Sequence, residues 1–114
     1  MAYYNSKTVN YTFDDAIAKV TDELKNEGFG VLSEIDVQAT LKKKLDVDFR
    51  KYRILGACNP PSAYKALQAE ENIGVLLPCN VILQEKEEGI VQVSMVNPME
   101  SMQAVRNETL EKIA

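Results

Sequence analysis

Two cysteines, each followed directly by asparagine, are the side chains in this sequence best suited to chemistry: Cys58 in GACNPP and Cys79 in LPCNVI. A thiolate is a nucleophile, a redox centre and a soft metal ligand. Cys58 precedes a segment that opens like a helix, with Asn59 as N-cap and Pro60 as first helical residue, and a helix start favours thiolate over thiol. Pro60 and Pro61 remove two of the N–H groups at that terminus, which weakens the effect. Cys79 follows Pro78 and leads into the apolar run VIL, where a free cysteine ordinarily serves as a small hydrophobe. The dipeptide recurs 21 residues apart, each time where a loop meets a regular element. That repetition argues for a common location at one end of a sheet, with Asn59 and Asn80 beside the thiols.

The chain has no histidine. This removes the Ser-His-Asp and Cys-His nucleophile arrangements and the common His-based zinc sites. A closed zinc site takes four ligands, so Cys58 and Cys79 suffice only if a symmetric dimer supplies two more or Glu34 and Asp36 contribute. Met95, Met99 or Met102 can add a thioether for monovalent copper, although Met at helical spacing is ordinarily core. In SEID, Glu34 and Asp36 have the spacing of an acid–base pair. Asp36 is placed to cap the next helix, whereas Glu34 has no such structural role and is the more interesting carboxylate. Tyr64, one turn into the helix after Asn59, can line the same pocket as Asn80. Arg50 and Arg53 can bind an anion, although such arginines ordinarily are surface residues with buried stems. Four functions fit these residues: a small-ligand binding or sensing domain, a thiol-based redox or sulfur-transfer enzyme using Cys58, a soft-metal binding module, and a structural or interaction module whose cysteines only pack.

Composition narrows the partners. A chain of 114 residues, 46% hydrophobic and 26% charged, predicts one domain over 1–114 with its own core and no need of staples. Net charge is −4 and the basic residues are scattered, which argues against nucleic acid. Lys42-Lys43-Lys44 reads as the wet face of a short helix. The N-terminal MAYYNSKTV has no apolar signal core and no stretch has membrane-spanning length, so a cytoplasmic protein with two reduced thiols is expected. No cofactor is required by the residues.

The elements that must position these side chains are well punctuated. Positions 2–9 read as a strand. Thr12 then caps a helix with Asp14 and Asp15 in its first turn, Phe13, Ile17, Val20 and Leu24 on one face, and Gly28 at the left-handed stop, so that Phe29 folds back on Leu24. GVLSEID (30–36) predicts a strand, and Asp36 a capped helix over VQATLKKKL with Val37, Leu41 and Leu45 on one stripe. YRILGAC (52–58) predicts a strand in which Gly56 marks a close backbone approach or a bulge. A helix over PPSAYKALQAE follows, and residues 73–78 are strand or turn. Segments 79–86 and 89–96 flank Glu87-Glu88, with Gly89 available for a positive φ, which signals a hairpin, and Asn97 caps a final helix. The closing hairpin excludes a wholly parallel sheet, so the prediction is an α+β domain with a mixed or antiparallel sheet and helices on one face.

From Gly28 onward, the stretches GFGVLSEIDVQATLKKKL, DFRKYRILGACNPPSAYKALQAE and IGVLLPCNVI, and more loosely VQVSMVNPM, resemble the family catalogued as domain of unknown function 302. The resemblance covers most of the chain. It implies a fold similar to the TATA-binding-protein-like class: a curved, mainly antiparallel sheet with two main helices on one face and short helices in the connections. It also implies a homodimer, and members of the family usually extend the last helix beyond the position of Ala114. It implies no chemistry, and the fold analogy carries no expectation of DNA binding.

Overall fold

In the computed structural model, residues 3–97 are described. β1 (Tyr4–Val9), β2 (Gly30–Asp36), β3 (Tyr52–Cys58), β4 (Cys79–Glu87) and β5 (Ile90–Val96) form one curved sheet in the order β1-β5-β4-β3-β2. Every neighbouring pair is antiparallel. The class is therefore α+β, as the closing hairpin implied. The β4–β5 turn is made by Glu88 and Gly89, with Gly89 at φ +78°. That left-handed backbone suits the twist of a two-residue hairpin.

α1 (Phe13–Asn26) forms where the sequence marks it. The Thr12 hydroxyl accepts from the Asp15 N–H at 3.2 Å. At the other end Gly28 takes φ +85°, and the Gly28 and Phe29 N–H groups donate to the Lys25 and Leu24 carbonyls at 3.1 and 2.8 Å. This pair of bonds is a Schellman stop, and it brings Phe29 onto Leu24. α1 buries Phe13, Ala16 and Leu24 against Leu55 and Ala57 of β3, Val81 and Leu83 of β4 and Val91 of β5, forming the main core. Each such large apolar side chain contributes about 1.5–3 kcal/mol on full burial.

α2 (Val37–Leu45) is capped by Asp36, whose carboxylate accepts from the Ala39 N–H at 2.9 Å. Its expected stripe is only partly used: Val37 and Leu41 are half-buried, but Leu45 is exposed. Lys42, Lys43 and Lys44 face water, and Lys42 pairs with Asp46 and Asp48. α3 (Pro60–Ala69) starts at the Asn59 cap and packs with a 3₁₀ helix, Glu71–Leu76. Residues 73–78 are expected as strand or turn; 73–76 coil instead, because burying Ile73 against Ala66, with Ala69 and Leu77 beside them, builds a small second core under α3. The final helix expected after Asn97 lies outside the described residues; among the described residues α1 covers the core face of the sheet and α2 packs against β2 and β3. Among the described residues no helix is long and apolar enough to cross a membrane.

Candidate functional site

The pleat sends alternate residues to opposite faces, so the register fixes which side chains meet. On the face away from α1, three rungs run across the strands. The first is Tyr52, Gln84, Gln92 and Thr8; the second is Ile35, Ile54, Ile82, Ser94 and Ser6. The third joins Ser33, Gly56 and Asn80 on one side, with Val96 and Tyr4 on the other. A groove of about 380 Å³ lies over them, lined by Tyr4, Tyr52, Asn80, Gln84, Gln92 and Ser94 among others. Its floor is wired together. Arg50 Nε donates to Gln84 Oε1 at 2.9 Å, Gln84 Nε2 donates to Gln92 Oε1 at 3.3 Å, and the Ser6 and Ser94 hydroxyls bond each other.

Cys58 and Cys79 are free thiols, both half-buried, at the same end of the adjacent strands β3 and β4. Burial raises the Cys79 pKa above the ordinary thiol value, and the charge of a Cys58 thiolate nearby raises it further. They do not share a rung. Cys79 pairs with Ala57, not with Cys58, so alternation puts Cys79 on the α1 face with Ala57 and Cys58 on the open face with Gly56. Asn59 is engaged in capping, its Oδ1 accepting from the Ser62 N–H at 3.1 Å. Of the two Cys-Asn pairs, only Asn80 lines the groove.

The remaining expectations separate. Glu34 does have a structural partner: Arg53 Nη1 donates to it, while Arg53 Nη2 reaches Asp36 Oδ2 at 3.4 Å. This cluster sits on the α1 face, with the guanidinium 5.9 Å from the centre of the Phe13 ring, so Arg53 is not a free surface cation. Tyr64 is 65% exposed on α3 and does not line the groove. Among the described residues no three Cys, His, Asp or Glu side chains gather as metal ligands; Met99 and Met102 lie outside them. The groove's own residues, Tyr52, Gln84, Gln92 and Ser94, were not singled out from the sequence. Their signal is polar side chains alternating with the core residues Val81, Leu83 and Val91 along the hairpin.

A family model for domain of unknown function DUF302 matches residues 5–114. The chain belongs to this family. A crystal structure of an uncharacterised conserved DUF302 protein from Bacillus stearothermophilus is similar to it, with a TM-score of 0.90 and 28% identity over 99% of this chain and 88% of that one. Comparison with curated proteins gives no match. DUF302 membership thus accounts for the sheet order and the placement of the helices, and the chemistry has to be argued from the side chains on the sheet.

Proposed function

We propose that this chain is a small-ligand binding or sensing domain whose site is the groove across the open sheet face, with Asn80 at one end and Tyr52 and Gln84 at the other. One observation carries the reading. The groove is lined by hydrogen-bonding but uncharged side chains and aromatic rings, on a chain that is 26% charged. A few placed polar groups among apolar and aromatic walls is the composition of small-molecule sites, and about 380 Å³ falls at the small end of their range. A dithiol centre of Cys58 and Cys79 is favoured less, since it needs both sulfurs on one face.

The chain acts as one cytoplasmic domain with a TATA-binding-protein-like fold, and as a homodimer. Free cysteines fit a reducing compartment. The negative net charge is unsuited to duplex DNA. The open sheet face, which mixes polar groups with Ile35, Ile54 and Ile82, is taken by the proposed groove, so the dimer contact is better sought on α3 and the 3₁₀ helix, where Tyr64, Leu67, Val75 and Leu76 are exposed. Native mass spectrometry tests both points. The expected spectrum shows a dimer carrying a small-molecule adduct that Gln92→Leu loses. A monomer rules out the assembly, and an adduct that survives in Gln92→Leu rules out the groove.

A further inference from the structure

We infer that the groove is selective for small organic carboxylates, with Arg50 as the anchor of the anionic end; this rests on reading the groove as a ligand site. One arginine lies just before β3 and one within it, and they are used differently. The Arg53 guanidinium is committed to Glu34 and Asp36. Arg50, an exposed neighbour of the lining residues Gln84 and Tyr52, bonds no carboxylate among the described residues. Yet it is held in place: its Nε donates to Gln84 at 2.9 Å, and its guanidinium lies 4.4 Å from the Phe49 ring centre and 5.8 Å from that of Tyr52. A guanidinium fixed through Nε and stacked on aromatic rings presents its two terminal nitrogens as a fork, which matches the two oxygens of a carboxylate.

The relay behind it points the same way. Gln84 gives its oxygen to Arg50 and its NH₂ to Gln92, and the Gln92 oxygen is thereby occupied, leaving the Gln92 NH₂ to face a ligand. This end of the groove therefore offers N–H donors and a positive charge, and none of the lining residues is acidic. Tyr52, between Arg50 and the floor, supplies a ring against which an apolar or planar body can lie. A carboxylate on a compact apolar body meets each of these groups, whereas a neutral molecule leaves the fork empty.

The test uses the full chain, ¹⁵N-labelled, titrated with 2-naphthoate and with its neutral isostere 2-naphthamide. Shifts are followed at the amides of Gln84, Gln92 and Ser94. The carboxylate is expected to bind about three- to five-fold more tightly, the upper part of the scale of one partly exposed ion pair, and the preference should shrink as salt is added. Arg50→Gln, an exposed substitution, should reduce the preference to less than about two-fold, and Arg50→Lys should restore only part of it. Equal binding of the two probes in the groove overturns the carboxylate assignment and leaves the groove reading standing. A preference that persists in Arg50→Gln overturns Arg50 as the anchor. If neither probe shifts these amides, both readings fail.

Discussion

Replacing Gly56 by alanine tests how the Asn80 end of the groove is built. Gly56 is buried in the central strand β3, opposite Asn80 and next to Ser33 of β2. A Cβ there would stand 2.3 Å from Ser33 Oγ and 2.7 Å from Pro78 Cγ. The hydroxyl can turn aside, because Ser33 is on an edge strand. The proline ring cannot rotate, and it is tied to the first residue of β4. Relief therefore requires that the start of β4 move away from β3, taking Cys79 and Asn80 with it. Overpacking of this kind costs about 1–3 kcal/mol. Alanine recovers about 0.4–1 kcal/mol by restricting the unfolded chain. The expected net loss is about 1–2 kcal/mol, which at a urea slope near ~1.5 kcal/mol/M moves the midpoint down by roughly 1 M. Urea unfolding followed by circular dichroism measures it, and the ¹⁵N spectrum should show the largest shifts at Cys79 and Asn80. Adding Ser33→Gly should recover only a minor part. An unchanged or raised midpoint would refute the seating of Pro78 on Gly56, and full recovery with Ser33→Gly would mean that the hydroxyl, not the ring, sets the spacing.

Three shorter predictions address the neighbouring residues. Asn59→Ala removes the acceptor for the Ser62 N–H and should cost about 1 kcal/mol in urea unfolding, with Asn59→Asp close to wild type; equal losses would mean the cap contributes nothing. Glu34→Gln should cost under about 1 kcal/mol because the carboxylate is half-exposed, and Asp36→Ala should cost more because it removes the α2 cap as well. The reverse order would break the assignment. The Cys79 pKa is raised in the fold, so the folded state holds that proton more tightly than the unfolded chain does; its contribution to stability is full below the ordinary thiol value of 9.0 and lost as pH rises through the folded value. The rate of iodoacetamide labelling of Cys79 should therefore titrate with a midpoint above pH 9.0, and Cys58→Ser should bring that midpoint slightly lower, since burial is the larger cause. Labelling with a midpoint below 9.0 would contradict it.

What the sequence shows of this fold is what depends on a few adjacent residues. The Thr12, Asp36 and Asn59 caps, the Gly28 stop and the Gly89 hairpin each rest on interactions spanning no more than about six positions, and each forms as read. The candidate site depends on pairing across the sheet. Ser6 and Ser94 meet across 88 positions, and Arg50 and Gln84 across 34, so no local pattern announces the groove. The ion pair of Glu34 with Arg53 spans 19 positions and was hidden for the same reason. The two thiols make the point most sharply. Their strands are neighbours and their ends coincide, as the repeated Cys-Asn pair suggested, but β3 and β4 are registered so that Cys79 faces Ala57. Side chains alternate with a period of two, so this offset of one residue sends the sulfurs to opposite faces. A slip of one position would have set Cys79 opposite Cys58 and put both on one face. One residue of register, fixed by the packing of Leu55, Val81 and Leu83 under α1, therefore decides between a paired thiol centre and a polar groove with a single thiol on its side of the sheet.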